Sequence, residues 1–152
     1  MGPRMTAVTF RVLALSLVAF AGIAAGSARL SLYDRLGGRD GVANIANTLI
    51  DRVATDPSLK RSFEGSNLGR IKKLLAEQIC DLSGGPCHYS GDSMKEVHAR
   101  HQISQAEFYG MVAILREVLQ ADHISQGASN ELVALLAPMK RDIVEPALAG
   151  PK

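Results

Sequence analysis

Apolar residues recur every three or four positions along most of this chain, and this spacing is the strongest constraint on its fold. The first long example is the segment from Val42 to Val53, where such spacing places the apolar side chains on one helix face. No segment shows convincing strand alternation. The 152 residues include no Trp and only 5% aromatic residues, a poor fit to a β-sandwich or barrel. The sequence therefore predicts an all-α domain.

Capping and turn signals divide the first half of this pattern into separate helices. Ser31 and Asp34 form a capping pattern for a short helix that ends at Gly37–Gly38. We expect the next helix to begin at Asp40. A third, in the region that follows Asn67, is stopped by a Gly-Gly-Pro turn.

The second half carries a short helical segment and two longer ones. Met94–Ala99 has room for one or two helical turns, and Ser104 opens a long helix with a capping box. The last helix is predicted over Glu131–Val144, capped by Ser129. Pro138 lies inside it and should bend it or start a new turn.

Residues 1–28 have the order of a secretory signal: a basic start, an uncharged run over Val12–Ala25, and small residues before the cut. The run is shorter than the roughly 20 residues that cross a bilayer. We expect a signal peptide over 1–28 and a mature domain over 29–152. The alternative is an uncleaved N-terminal anchor, which would be the protein's one contact with a membrane.

The net charge of +2 also belongs to this leader, because Arg4 and Arg11 are its only charged residues. The remaining chain is formally neutral, which excludes the basic surface of a nucleic-acid-binding protein. An export signal predicts a periplasmic location.

The two cysteines, Cys80 and Cys87, flank a predicted chain reversal. In a reducing cytosol they would be two unrelated thiols, whereas in an exported protein the reversal allows a disulfide. A zinc site is disfavoured, since zinc takes three or four ligands and only His88 is adjacent.

Five sequence patterns then follow one another in order. They are Ser31–Gly38, Ser62–Gly65, Gly84–Gly91 with Met94–His98, Ile103–Phe108 and Leu136–Met139. In order and spacing they resemble the group 1 truncated haemoglobins, over residues 31 to about 144. The resemblance implies a two-over-two helical sandwich around a b-type haem.

The resemblance makes His98 the proximal ligand of the haem iron, since an imidazole gives one axial bond and leaves the opposite position open. No distal His or Lys matches, so we expect five-coordinate ferrous iron that binds O2, NO or CO. The other haem contacts that it implies are Phe63, Lys72, Tyr89, Met94, Val97, Phe108 and Met111.

The chain departs from the family in its distal pocket. The usual Tyr and Gln positions are matched by Ile50 and Leu75. The residues inferred to form the pocket are Leu49, Ile50, Ile71, Leu75, Gln78 and Ile79. Iron-bound O2 carries partial negative charge that a donor stabilises, so we expect O2 to leave quickly unless Gln78 turns inward.

Three functions are consistent with these patterns. The first is reversible gas binding by haem. The second is a haem-dependent activity: NO dioxygenation, which needs a redox partner, or a peroxidase-like reaction, for which no distal acid–base pair is visible. The third is a helical structural or interaction module of the cell envelope without haem. His98 in a haem-sized apolar gap distinguishes the haem proteins from this module.

Overall fold

Helices form the architecture of residues 30–145, the part of the chain that the computed structural model describes. The helices are α1 Leu32–Arg35, α2 Gly38–Val53, α3 Leu68–Leu82, α4 Met94–His98, α5 Gln105–Ala121, α6 Gln126–Leu136 and α7 Lys140–Ile143, with 3₁₀ turns at Lys60–Phe63 and Ala137–Met139. No strand occurs within these residues, so the all-α prediction is confirmed.

None of the helices described is both long and apolar enough to cross a membrane. The predicted leader, residues 1–28, lies outside the described residues.

The core lies where α2 packs on α3 and α5, while α6 packs on α1 and α5. Ile45 of α2, Ile79 of α3, Leu119 of α5 and Leu132 of α6 are each fully buried there. Burying one such side chain contributes about 1.5–3 kcal/mol. The apolar faces read from the sequence are therefore the faces that meet in the core.

Helix α2 begins at Gly38, two residues before the predicted start at Asp40. The reason is the tight connection from α1, in which Gly37 adopts a left-handed φ of 91°. A Cβ added to Gly41 would lie 2.1 Å from the carbonyl oxygen of Leu36. These glycines let α1 turn directly into α2, so no separate N-terminal signal at Asp40 is needed.

The prediction of one helix over Glu131–Val144 is wrong. Helix α6 begins earlier, because the hydroxyl of Ser125 accepts a hydrogen bond from the Ala128 backbone. Ser129, predicted to be the cap, is instead buried within α6. The interruption at Pro138 is confirmed, because the chain forms a 3₁₀ turn there before α7 begins.

A disulfide joins Cys80, near the end of α3, to Cys87 in the loop that follows. Two carboxylates of α3 hold the same loop, since Asp81 accepts from the Tyr89 backbone and Glu77 accepts from the Ser90 hydroxyl at 2.6 Å. The predicted bridge is therefore part of a wider attachment between this loop and α3.

Candidate functional site

A cavity of about 440 Å³ lies between α3 and α5, and residues of α4 and of the Ala137–Met139 turn also line it. Its volume is in the range of pockets that hold small ligands and cofactors. Most of its wall is hydrocarbon. The predicted site residues that line it are Leu49, Ile50, Phe63, Ile71, Leu75, Gln78, Ile79, Tyr89, Met94, Val97, His98, Phe108 and Met111. The structure thus brings together every residue predicted to contact haem or to form the distal pocket, except Lys72.

Lys72 points away from the cavity, and its ammonium lies 2.6 Å from the Asp51 carboxylate of α2. Arg70 takes a place in the lining instead. The sequence contained a signal for this, because Arg70 lies three or four positions from Asn67 and Leu74, at the edge of the apolar face of α3.

His98 is the last residue of α4, a helix of five residues whose start is fixed by a capping box between Ser93 and Glu96. The Nδ1 atom of its half-buried ring lies 2.8 Å from the Met94 carbonyl oxygen. A carbonyl only accepts, so Nδ1 carries the proton and the lone pair is on Nε2.

The surroundings of the ring also favour its neutral form. Burial lowers the pKa of His98, and the nearby His101 lowers it further, while the bond to Met94 opposes both effects. A neutral imidazole with a free Nε2 is the form that binds a metal ion. The geometry and the charge state of His98 therefore both suit an axial ligand.

The α2 side of the cavity is apolar. Ile50 and Leu49 of α2 and Ile79 of α3 are almost completely buried, whereas Ile71 and Leu75 of α3 are half-buried and open to the cavity. These five side chains carry no hydrogen-bond donor.

Gln78 does turn inward, and the residue is only 8% exposed. Its Nε2 lies 3.4 Å from the Met94 sulfur and 3.7 Å from the Met139 sulfur. Thioether sulfur is a weak acceptor, so the amide is only loosely satisfied. The polar group in this wall is therefore directed towards α4 and the Ala137–Met139 turn.

The mouth of the cavity is polar. Tyr89 donates its hydroxyl proton to the Asp92 carbonyl at 2.9 Å. Burial raises the pKa of Tyr89, and the charge of Asp92 adds to this effect while Arg70 opposes it. A neutral phenol and a guanidinium therefore stand beside an apolar interior.

This donor set fits haem. The porphyrin ring is apolar, its carboxylates suit the Arg70 guanidinium at the mouth, and the iron needs one neutral nitrogen ligand, which His98 offers. Half-buried apolar side chains such as Phe108 and Met111 give the ring a wall to pack on.

Comparisons with known proteins agree with this assignment. The model of the bacterial-like globin family matches residues 31–145. The group 1 truncated haemoglobin GlbN of Mycolicibacterium paratuberculosis is 30% identical over 113 residues, which are 74% of this chain and 83% of that protein. GlbN of Nostoc commune is 29% identical, over 69% of this chain and 87% of its own length.

Solved structures show the same fold. Truncated haemoglobin from Tetrahymena pyriformis, in its Fe(III) form, superposes with a TM-score of 0.73 at 21% identity, over 77% of this chain and all of that one. The 2/2 haemoglobin of a Synechococcus species gives 0.70 at 22% identity, over 76% of this chain and 98% of that one. The predicted two-over-two architecture is confirmed. The chain belongs to the bacterial-like globin family, as a group 1 truncated haemoglobin.

Proposed function

We propose that this protein reversibly binds a diatomic gas at a five-coordinate b-type haem held by His98. Membership of a globin family indicates haem-based gas binding. The observation that carries the finer proposal is the His98 ring in the wall of an apolar cavity, with Nδ1 bonded to the Met94 carbonyl and with a pKa that burial lowers. When bound there, haem supplies an iron with one open axial position.

Two features support a b-type haem with five-coordinate iron. Both cysteines of the chain are joined in the disulfide, so neither thiol is free for a thioether bond to haem. On the α2 side, Ile50, Ile71 and Leu75 are hydrocarbon and cannot bind iron. We therefore expect the sixth position to be left to an external gas.

The apolar wall also sets the preference among gases. The family's usual Tyr and Gln positions hold Ile50 and Leu75, and the Gln78 amide is directed at two sulfurs. O2 gains from a donor more than CO or NO does. One hydrogen bond is worth about 1 kcal/mol, or about fivefold in affinity. Gln78 does turn inward, but we propose that its amide stays on the two sulfurs, so we still expect O2 to dissociate quickly and CO and NO to be relatively favoured.

Absorption spectra of the ferric, ferrous and CO-bound protein test the proposal. The wild type should take up haemin and show a Soret band and a five-coordinate ferrous spectrum. His98→Ala should lose that spectrum, whereas His123→Ala, which alters an exposed turn, should keep it. A helical wild-type protein that takes up no haemin would contradict the proposal and favour the envelope module.

We also propose that the protein is exported, with residues 1–28 removed. The Cys80–Cys87 disulfide supports this, because such bonds persist in oxidising compartments. N-terminal sequencing of the protein from a periplasmic fraction should begin just after Ala28. An intact leader in the membrane fraction would support the anchor instead.

A further inference from the structure

The four residues that follow His98 hold an unusual backbone conformation. Arg100 has a φ of 73° and Gln102 a φ of 49°, both in the left-handed region that side chains with a Cβ rarely adopt. Of the non-glycine residues described, only His123 shares this property. Such a conformation persists only where the surrounding contacts enforce it.

Glu145 holds this loop from one side. Its Oε1 accepts hydrogen bonds from the backbone nitrogens of Arg100 at 3.2 Å and Gln102 at 3.3 Å, which are the two strained residues. Its own backbone nitrogen donates to the Ile103 carbonyl at 3.0 Å. The carboxylate therefore fixes the nitrogen side of both strained peptides.

Arg61 holds the loop from the other side. Its Nη1 donates to the His101 carbonyl at 3.1 Å and its Nη2 to the Gln102 carbonyl at 2.9 Å. The same Nη2 lies 2.7 Å from the carboxylate of Glu107, which caps α5 through Ser104. One guanidinium thus joins the loop after His98 to the start of α5.

Arg61 also belongs to the 3₁₀ turn Lys60–Phe63, and Phe63 in that turn lines the cavity. The guanidinium therefore connects a wall of the cavity to the segment that carries His98. An exposed ion pair by itself contributes little to stability. The planar guanidinium of arginine donates to two carbonyls at once and so fixes their orientation. The ammonium of a lysine, a single point charge, does not.

From these contacts we propose that Arg61 is a positioning residue for His98. By holding the loop over residues 99–102 in its strained form, it fixes the direction in which the imidazole meets the haem iron. The inference rests on the proposed haem function. It adds a residue outside the porphyrin site that controls the strength of the iron–histidine bond.

The test compares Arg61→Gln with Arg52→Gln in the haem-loaded protein. Arg52 is the matched control, because its ion pair with Glu117 joins α2 to α5 and does not involve the loop over residues 99–102. Resonance Raman spectra of the ferrous form report the iron–histidine stretch, and transfer of haem to apomyoglobin reports haem loss. We expect Arg61→Gln, but not Arg52→Gln, to shift the iron–histidine stretch and to lose haem up to about tenfold faster. A factor of about ten is the low end of the loss of metal affinity that follows replacement of a residue that orients a metal ligand.

Two further variants separate positioning from charge. Arg61→Lys keeps a cation near Glu107 but lacks the two-pronged guanidinium, so the iron–histidine stretch should still be shifted. A wild-type stretch in Arg61→Lys would overturn the inference. Glu145→Ala removes the acceptor from the other side of the loop and should shift the stretch as well. If Arg61→Gln does not fold, Glu145→Ala still tests whether this loop sets the direction of His98, and an unchanged stretch would count against the inference.

The two proposals fail in different ways. A wild type without a Soret band contradicts the haem function. A haem-loaded wild type whose stretch and haem loss are the same in Arg61→Gln and in Arg52→Gln contradicts only the positioning role. Thermal melts followed by circular dichroism show whether each variant is folded.

Discussion

The Nδ1 atom of His98 lies 2.8 Å from the carbonyl oxygen of Met94, one turn earlier in the same short helix. The sulfur of that methionine is contacted by the Gln78 amide of α3. A helix of five residues is not stable in isolation. Met94 therefore links α3 to the residue that is proposed to hold the iron, and α4 owes its position to such contacts.

Leu75→Gln should slow O2 dissociation by about fivefold or more, because it places an amide donor in an otherwise apolar wall. CO dissociation should change much less. Leu75→Ile is the matched control, since it keeps the side-chain volume and offers neither a donor nor a ligand for iron. Stopped-flow displacement of O2 by CO measures the rates, and an unchanged O2 rate in Leu75→Gln would show that this wall does not face the gas.

Gln78→Ala should leave O2 dissociation fast, because the amide is already directed at the sulfurs of Met94 and Met139. The same stopped-flow measurement applies. A slow wild-type rate that does not respond to Gln78→Ala would refute the apolar pocket. A slow rate that rises in Gln78→Ala would make Gln78 the donor, and the expectation of quick O2 loss would again be wrong.

Local patterns were enough to predict much of this molecule. The helical spacing around Phe108 and Met111, and the order of the sequence patterns, place His98 in the cavity wall. The partners of Lys72 and Gln78 were not predictable, because Asp51 and Met139 come from distant segments. The same holds for the packing that buries Ser129 within α6.

Replacing Cys87 with Ser should lower the free energy of unfolding by about 2 kcal/mol, the loop-entropy value for a short loop. Haem binding should survive, because Asp81 and Glu77 still hold the Tyr89–Ser90 segment near the mouth of the cavity. Urea unfolding with and without a reductant measures the change. A wild type whose midpoint does not respond to reductant would contradict this expectation.

Acid should destabilise the protein partly through Glu107. Burial would raise the pKa of this carboxyl, but hydrogen bonds from Arg61 and Ser104 and the charge of Arg61 together lower it from 4.5 to about 2. A pKa that is lower in the folded state gives stability that is complete above pH 4.5 and is lost as the pH falls towards 2. Thermal melts should show a shallower acid decline in Glu107→Gln. Part of the decline remains, because hydrogen bonds from Ser93 also lower the pKa of Glu96. An identical acid profile in wild type and variant would contradict this assignment.

Gly85→Ala should destabilise the fold by about 1–3 kcal/mol, as expected for overpacking. The added Cβ would lie 2.6 Å from the Cys80 sulfur and 2.6 Å from the Tyr33 ring. Neither neighbour moves easily, since Cys80 is in the disulfide and Tyr33 packs against the hydrophobic core. Gly127→Ala in α6 is the control.

That control meets no atom within 4 Å and replaces a helical glycine, so it should stabilise by up to about 1 kcal/mol. Urea unfolding of both variants provides the comparison. The Gly85→Ala penalty should shrink when Cys80 and Cys87 are both replaced by Ala, because the sulfur is then absent. A penalty of the same size in that background would place the clash on Tyr33 alone.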